Sequence, residues 1–414
     1  MKKKLLILLV LLLILVAGVL GYAYFAGGTN PDGTKQNPLT NLFPFGKPSE
    51  STSGGNTVGS STDTYPNVSS TSTASTSLFS NGGAKDFILI SSTPVAGFHA
   101  ILKTDDNTIV RYTDKATGNI FETDIKSLKK TRISDAQIPG LYDALWSESG
   151  KYLIVRYLAD DGKTIKSYLV NLSTYTPGTP YQLSGKYLPD NIQDFSLYSD
   201  TDKALYLQKT SGGSSVSVVN FINGSTAPLF SSPFSEWLVQ RTNDGTIALT
   251  TRASQGIPGY LYKLTPGSSN LEKILDGVPG LTTLVSPDFH YVLYSESTDQ
   301  GDLTLNLYNV QQQTSVTLSA KTLPDKCVWA NTAVFYCGVP KNLPLGTYPD
   351  DWYQGRADFD DTLMKFGVDS SSPLATYDLA TPVNITNLNI TGNYAYFIDK
   401  KTSSLWAKRV ATSD

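Results

Sequence analysis

Cysteine and histidine are scarce in this sequence of 414 residues, which contains only Cys327, Cys337, His99 and His290. These numbers exclude a four-cysteine zinc cluster and a three-histidine metal site. Thiol chemistry is limited to one pair of residues. We therefore predict no metal site and no bound cofactor.

A surplus of basic residues is also missing. Lys and Arg number 33 against 36 Asp and Glu, which gives a formal net charge of −3 and an isoelectric point near 5.5. Because binding to a phosphate backbone requires a basic stripe or patch, nucleic acid is not expected as a partner. Aromatic residues are abundant instead, with 24 Tyr and 16 Phe, and they favour strands over helices.

The N-terminus carries a long apolar run behind three lysines. Lys2, Lys3 and Lys4 precede uncharged residues 5–26. About 20 apolar residues suffice to cross a bilayer, and the positive-inside rule keeps the lysines in the cytoplasm. We predict a cytoplasmic stub at 1–4 and a transmembrane signal anchor at 5–26, N-in and C-out in the cytoplasmic membrane. The alternative is a signal peptide cleaved near Ala23, which would yield a secreted protein.

Residues 27–84 are dominated by Ser, Thr, Gly, Asn and Pro. Such a composition cannot bury enough apolar area to offset the entropy of ordering. The segment is therefore predicted to be a disordered linker, and a flexible coil of this length has a mean reach of about 40 Å. The remaining domain, 85–414, is predicted to be tethered but free to search.

A turn rich in Asp, Asn, Gly or Ser, followed by a short alternating β run, recurs seven times in residues 85–414. The β runs begin at Thr108, Tyr152, Ala204, Thr246, Tyr291, Ala333 and Tyr394. The successive spacings are 44, 52, 42, 45, 42 and 61 residues. Most of them lie near the roughly 40 to 50 residues of a four-stranded propeller blade.

Each repeat also carries flanking strands, such as ALWS before the turn ESGK and IKSYLV after the run YLIVRY. Six repeats continue into a weaker fourth strand: KKTRIS, TPYQLS, TAPLFS, NLEKIL, TSVTLS and LATYDL. The seventh repeat has none, because the sequence ends shortly after Val410. We predict that residues 86–91 close the ring by pairing with 405–410, which protects the sheet edges.

The pieces SPDFHYVLYS with LTLNLYNV, and SESGKYLIVRY with IKSYLVNL, resemble the WSPDGK-type repeats of TolB-like and WD40-like bacterial propellers. The resemblance covers about residues 85–410 and implies an all-β propeller. We predict seven four-stranded blades. Propellers of this repeat type often have six, so six and eight blades are the alternatives, and a β-sandwich or barrel is the alternative fold.

No catalytic motif accompanies the repeats. The Gly-x-Ser-x-Gly elbow of hydrolases is absent, and so are the Ser-x-Asp-x-Gly-x-Thr-Trp boxes of sialidases. His290 lies at a turn position and is interpreted as a solvated residue. His99 lies on an innermost strand, where it either faces the channel or forms an ordinary strand hydrogen bond. We predict no catalytic residue, and an enzyme is the less favoured interpretation.

The sixth repeat departs from the pattern by an insertion at residues 338–361, between its second and third strands. Long loops in compact domains are usually functional or disordered. The candidate binding residues are Tyr348, Asp350, Asp351, Trp352, Tyr353 and Arg356. The alternative is that Trp352 and Tyr353 fold the loop back onto blades six and seven. Nearby Asp358, Asp360 and Asp361 lack the glycine-punctuated spacing of a calcium loop.

Cys327 and Cys337 flank a predicted hairpin, CVWANTAVFYC. Reflection about Thr332 places them directly opposite each other, and a non-hydrogen-bonded pair of strands brings Cα atoms to about 4.5 Å. An exported domain would meet oxidising conditions. We therefore predict a disulfide, with two buried thiols as the alternative.

Three functions remain open on the sequence. The first is a membrane-tethered, extracytoplasmic module that binds or scaffolds a protein of the cell envelope. The second is an envelope glycan-binding protein or hydrolase that uses carboxylates in the propeller funnel. The third is a purely structural surface protein.

Overall fold

The computed structural model describes residues 86–104, 107–134, 138, 140–175 and 183–410. The stub, signal anchor and linker predicted at 1–84 lie outside these residues. Within the described part of the chain, no helix is long and apolar enough to cross a membrane.

The described residues form seven antiparallel four-stranded sheets, which are the blades of a β-propeller. Blade one comprises β2 (Val95–Thr104), β3 (Asn107–Asp114), β4 (Ile120–Asp124) and β5 (Lys130–Arg132). Blade two comprises β6 (Leu141–Trp146), β7 (Tyr152–Leu158), β8 (Ile165–Asn171) and β9 (Ser184–Tyr187). Blade three comprises β10 (Ile192–Leu197), β11 (Lys203–Thr210), β12 (Gly213–Asn220) and β13 (Thr226–Ser232).

The next three blades repeat this order. Blade four comprises β14 (Trp237–Arg241), β15 (Ile247–Thr251), β16 (Pro258–Leu264) and β17 (Leu271–Pro279). Blade five comprises β18 (Thr282–Val285), β19 (Tyr291–Ser297), β20 (Leu303–Asn309) and β21 (Thr314–Thr317). Blade six comprises β22 (Cys327–Trp329), β23 (Val334–Pro340), β24 (Asp361–Gly367) and β25 (Ala375–Tyr377), with a 3-10 turn at Pro324–Lys326 and a short helix, α1, at Asp350–Tyr353.

Blade seven is assembled from both ends of the domain. Its strands are β26 (Ile385–Thr391), β27 (Tyr394–Asp399), β28 (Leu405–Arg409) and, outermost, β1 (Phe87–Ser91). Phe87 pairs with Lys408 and Leu89 with Trp406. The predicted ring closure and the predicted seven blades are therefore confirmed.

The blades are held together by apolar clusters at their seven junctions. Leu153 and Ile154 illustrate the arrangement, because these neighbours on β7 pack against blades one and three respectively. Successive side chains of a strand point to opposite faces, and each face meets another blade. Second strands are therefore buried on both faces, as in β27, where all six residues are buried.

Polar contacts add to the apolar packing between blades. Arg156 on blade two donates to the carbonyl of Ile192 on blade three at 2.7 Å. Gln240 on blade four donates to the carbonyl of Thr283 on blade five at 2.8 Å and accepts from the amide of Val285 at 2.9 Å. These bonds fix the rotation of blade two against blade three and of blade four against blade five.

The side chains of the recurring turn between the first and second strands stabilise its conformation by hydrogen bonds to the backbone. In the fifth blade, Ser286 accepts from the amide of Tyr291 at 2.9 Å, and Asp288 accepts from the amide of His290 at 3.1 Å. The fourth position of the turn has positive φ, 63° at Gly150 and 59° at Phe289. That conformation favours glycine, which is the residue of the repeat motif at this position.

One strand lies elsewhere than predicted. The fourth strand of blade two is predicted at TPYQLS, 179–184, of which 179–182 lie outside the described residues, and the structure has its strand at Ser184–Tyr187. All four residues of this strand are exposed, so no burial pattern marks it in the sequence.

Candidate functional site

The loops that join second to third strands lie at the same end of the propeller as the connections between blades. We call this end the insert face, because the insertion at 338–361 lies there, and the other end the opposite face. The insertion does not stand away from the ring. Asp350 accepts hydrogen bonds from Ser254 Oγ at 3.0 Å and from the amide of Gln255 at 2.9 Å, both on blade four.

An apolar cluster lies beneath the insertion. It contains Leu303 of blade five together with Leu323, Tyr348, Trp352 and Phe359. Trp352 is 4% exposed and Tyr348 is 1% exposed. Lys400 of blade seven lies 3.4 Å from the centre of the Trp352 ring. Trp352 therefore packs as the folded-back alternative describes, whereas Tyr353, the other residue of that alternative, is 42% exposed. Trp352 and Tyr348 cannot reach a partner while the loop keeps this conformation.

Asp351 organises the loop itself. Its carboxylate accepts from the amide of Thr347 at 2.7 Å and from Arg356 Nε at 2.7 Å. The hydrogen bond from Thr347, followed by that from Arg356, lowers the pKa of Asp351 below its ordinary value. A charged Asp351 thus holds both ends of the one-turn helix α1.

Tyr353 and Arg356 are the two candidate residues with substantial exposure. The Arg356 side chain is 58% exposed, and Tyr353 is 42% exposed. Tyr353 Oη donates to Asp325 Oδ1 at 2.9 Å, and desolvation raises the pKa of both groups. The charges of Arg252 and Asp194 also act on Tyr353. Since Asp194 and Asp325 belong to blades on opposite sides of the ring, Tyr353 lies over the mouth of the central channel.

The channel mouth therefore gathers charged groups from several blades. Lys400 lies near this group, and its pKa is lowered to about 8 by desolvation and by the neighbouring Lys326, against the opposing effect of Asp325. The arrangement places a carboxylate, a phenol and cations close together at the channel mouth. Such a set can hydrogen-bond the polar groups of a partner that covers the channel.

A cavity of about 440 Å³ occupies the channel nearer the opposite face. Its lining includes aromatic, amide and carboxyl side chains: Phe98, His99, Trp146, Glu148, Tyr198, Asn387 and Asn389. His99 hydrogen-bonds the backbone of Glu148, and burial lowers its pKa to about 4, so the imidazole is neutral at pH 7. Burial, followed by the charge of Asp202, raises the pKa of Glu148.

The three aspartates near the end of the insertion do not form a joint site. Asp358 pairs with Lys401 at 2.8 Å, Asp360 with Lys341 at 2.9 Å, and Asp361 with Lys326 at 2.6 Å. Among the residues that the structure describes, no group of three or more His, Cys, Asp or Glu side chains is placed to hold a metal ion.

The two cysteines lie directly opposite each other on β22 and β23, in the register expected for the hairpin. The structure joins them as a disulfide with a Cα–Cα distance of 4.0 Å. His290 is 70% exposed in its side chain and contacts Asp288 at 2.7 Å, which agrees with a solvated turn residue.

Two residues of the channel mouth could not be recognised as site residues from the sequence. Asp325 belongs to the short 3-10 turn before β22, and Lys400 belongs to the loop between β27 and β28. Both are single polar residues in loops that are distant along the chain. Only the closed ring brings them next to the insertion.

No protein-family model and no curated protein matches this sequence. Among solved structures, the chain is similar to an oligogalacturonate lyase from Vibrio parahaemolyticus, with 11% identity and a TM-score of 0.52 over 80% of this chain and 96% of that chain. An oligogalacturonate lyase in complex with manganese gives 9% identity and a TM-score of 0.51 over 80% of this chain and 95% of that chain.

TolB from Acinetobacter baumannii is also similar, with 10% identity and a TM-score of 0.41 over 76% of this chain. The chain spans 66% of the length of that TolB. At these identities the likeness concerns the fold alone. The described residues form an all-β, seven-bladed propeller, and the similarity to the two oligogalacturonate lyases is a similarity of fold.

Proposed function

We propose that this chain is a membrane-tethered, extracytoplasmic β-propeller that binds a protein of the cell envelope through its insert face. The observation that carries the proposal is the distribution of exposed large hydrophobic side chains. Six of the twelve in the described residues lie on the insert face: Tyr142, Leu158, Phe234, Ile257, Leu345 and Tyr353. Three lie on the opposite face: Leu102, Ile222 and Leu374.

Exposed apolar side chains that share a face favour a protein-binding role, particularly when polar groups surround them. Leu345 is fully exposed at the tip of the insertion, and Phe234 and Ile257 are 67% and 59% exposed on loops next to blade four. The charged channel mouth lies beside them. A partner seated here would bury the apolar side chains and pair with Asp325, Tyr353 and Arg252.

The membrane tether is the part of the proposal that the sequence alone supports. Residues 5–26 act as the anchor and 27–84 as a flexible stalk with a mean reach of about 40 Å. Such a stalk would let the insert face search the envelope near the membrane. Deleting residues 5–26 is expected to move the protein from the membrane fraction to the soluble fraction. Retention in carbonate-washed membranes after that deletion would contradict the tether.

Capture from detergent-solubilised membranes tests the proposal. Leu345→Ser, Phe234→Ser and Ile257→Ser combined in one variant should reduce recovery of the partner at least about tenfold, because hot-spot contacts dominate binding. The matched control changes the exposed residues of the opposite face: Leu102→Ser, Ile222→Ser and Leu374→Ser. If both triple variants capture the partner equally and keep an unchanged melting temperature, the insert face is not the binding surface.

A second candidate function, binding of an envelope glycan, is favoured by the channel cavity. Its volume of about 440 Å³ lies in the roughly 300 to 1,000 Å³ range of small-molecule sites. Aromatic and amide side chains in its lining are groups that can contact a sugar ring and its hydroxyls. Titration with neutral saccharides and with oligogalacturonate, on which the named lyases act, tests it. A Phe98→Ala, Asn389→Ala variant that binds as well as the unchanged protein would contradict this candidate.

A further inference from the structure

A fully buried lysine lies where blade six meets blade seven. Lys326 ends the 3-10 turn before β22, and its side chain is 0% exposed. Its Nζ atom lies 2.6 Å from Asp361 Oδ2 at the start of β24. The same Nζ lies 2.8 Å from the side-chain amide oxygen of Asn384, just before β26, and 3.0 Å from the carbonyl of Ile385. An amine, a carboxyl and a primary amide thus meet at one buried point.

The surroundings of this point are apolar and aromatic. The rings of Phe359 and Trp352 lie 4.9 Å and 5.7 Å from Lys326 Nζ. Desolvation is the largest effect on both titrating groups, since it lowers the pKa of Lys326 and raises that of Asp361. Both shifts favour a neutral amine beside a neutral carboxylic acid. A desolvated lysine amine is a nucleophile, whereas a protonated one is not.

The amide of Asn384 is held at both of its ends. Its Oδ1 receives Trp352 Nε1–H at 3.4 Å, and its Nδ2 donates to Asp358 Oδ1 at 3.2 Å. Donors aimed at a carbonyl oxygen stabilise the negative charge that develops there when a nucleophile attacks the carbon. The amide is therefore fixed beside the lysine amine with its oxygen polarised.

Asp361 is placed to exchange a proton with the lysine amine. Its Oδ2 contacts Lys326 Nζ and accepts from the amide of Ile385 at 2.6 Å. Its Oδ1 is buried and has no hydrogen-bond partner among the described residues. A carboxylic acid with one oxygen at the amine and a second oxygen free can accept a proton at one position and deliver its own from the other.

From this geometry we propose that Lys326 and Asn384 join in an intramolecular isopeptide bond, with Asp361 as the catalytic residue. The lone pair of Lys326 Nζ attacks Asn384 Cγ, and the π electrons of the carbonyl move to Oδ1, where Trp352 Nε1–H stabilises them. Nζ gives one proton to Asp361, and Asp361 gives its own proton to Asn384 Nδ2. The Cγ–Nδ2 bond then breaks and ammonia leaves. One amide is formed, one is consumed, Asp361 is regenerated and no oxidant or reductant is required.

The bond would link two points that are 58 residues apart in sequence. It would join the entry of blade six to the entry of blade seven, the blade that is closed by non-covalent contacts. A covalent link of this kind restricts the unfolded chain, as a disulfide does. Unlike a disulfide, it cannot be broken by reduction.

Peptide mapping of the folded, full-length protein tests the proposal. After denaturation, reduction and trypsin digestion, we expect a branched peptide joining residues 322–341 to 366–400, with no cleavage after Lys326 and a mass lower by one ammonia. Recovery of separate linear peptides, with cleavage after Lys326, from protein that melts cooperatively would overturn the proposal. A succinimide at Asn384 also loses ammonia but leaves the peptides unbranched, so that outcome would overturn it as well.

Two variants sharpen the result. Asp361→Asn removes the proton carrier with little change of shape, and it should abolish the branched peptide. Lys341→Ala is the matched control, because Lys341 pairs with Asp360 in an exposed position at the ends of the insertion. It should still give a branched peptide, which then joins residues 322–356 to 366–400 because the tryptic site at 341 is lost. A branched peptide that persists in folded Asp361→Asn protein would remove Asp361 from the reaction. If Asp361→Asn does not fold, the unchanged protein decides the matter by itself.

Discussion

Blades six and seven both depart from the regular plan, and they do so in opposite ways. Blade six is continuous in sequence but has only three residues in each of its first and fourth strands. It adds a disulfide, a buried lysine and a packed insertion. Blade seven is made from two distant parts of the chain and is completed by the non-covalent pairing of β1 with β28. In blade six, the disulfide, the buried lysine and the packed insertion thus compensate for short strands. In blade seven, a complete set of strand hydrogen bonds and buried side chains joins the two parts of the chain.

The ladder of blade seven carries apolar contacts as well as hydrogen bonds. Ile88 and Ile90 of β1 are buried in the cluster shared with blade one. Phe87 stacks on Trp406 with a centroid distance of 4.7 Å. The amide of Arg409 donates to the carbonyl of Asp86 at 2.8 Å. Strand β1 is therefore held by the same kinds of contact that hold the core strands of the other blades.

Removal of β1 should give the largest effect. A chain that begins at Ser92 loses the burial of Ile88 and Ile90, each worth about 2 to 5 kcal/mol when truncated, and exposes the edge of β28. We expect either failure to fold or a fall of at least about 5 kcal/mol in the free energy of unfolding. Urea denaturation compares it with a chain beginning at Gly83. Equal midpoints for the two chains would show that β1 does not hold the ring closed.

Trp352→Ala should give the next largest effect, on blade six. Trp352 is 4% exposed and packs with Tyr348 and Phe359 beneath the insertion. Truncation of a buried tryptophan costs about 3 to 5 kcal/mol. The neighbouring Tyr353→Ala is the matched control and should cost about 1 kcal/mol or less, because Tyr353 is half exposed. Thermal melts in which the two variants behave alike would contradict the packing of the insertion.

Loss of the Cys327–Cys337 bridge should give a smaller effect. The bridge closes a loop with a sequence separation of 10 residues, for which the chain-entropy model gives about 2 to 3 kcal/mol. Cys327→Ala with Cys337→Ala should lose about this much stability, and reductant should then have no further effect. Mass spectrometry of alkylated, unreduced protein provides the direct check. Two alkylated thiols in folded protein would eliminate the bridge and leave the alternative of two buried thiols.

The propeller could be predicted from the sequence because the second and third strands of each blade pack against both neighbouring blades. Tyr152, Tyr291 and Tyr394 begin their strands where the repeat predicted them. Such strands are apolar on both sides, so each gives a strong signal that repeats at the blade spacing. The fourth strand of blade two gave no such signal, since Ser184–Tyr187 is exposed on both faces, and it was predicted at 179–184.

The candidate sites were much harder to predict. Lys326, Asp361 and Asn384 lie in three separate segments, and only the junction of two blades brings them together. Polar residues in loops have no periodicity that would relate them. The insertion was recognisable by its length, but a one-turn helix does not reveal which side is buried. Trp352 faces inwards and Tyr353 faces the channel mouth, although they are adjacent in sequence.

Arg356→Ala should change stability least of all. Its Nη2 atom lies 2.6 Å from Asp351 Oδ1, and the arginine side chain is 58% exposed. An exposed ion pair contributes about 0 to 1 kcal/mol, because water and salt screen it. The melting temperature should therefore stay nearly unchanged.

The same variant separates the two roles of the insertion. If a partner covers the insert face, Arg356 lies where a partner carboxylate or backbone carbonyl would pair with it, and capture should fall about tenfold, which corresponds to a single good charged contact. Arg252→Ala, at the channel mouth on blade four, should then weaken capture as well, because the partner would span both loops. If Arg356→Ala captures the partner normally while Leu345→Ser does not, the insertion contributes apolar contact alone. If neither change affects capture, the insertion serves the propeller by packing, and a binding surface must be sought in the channel.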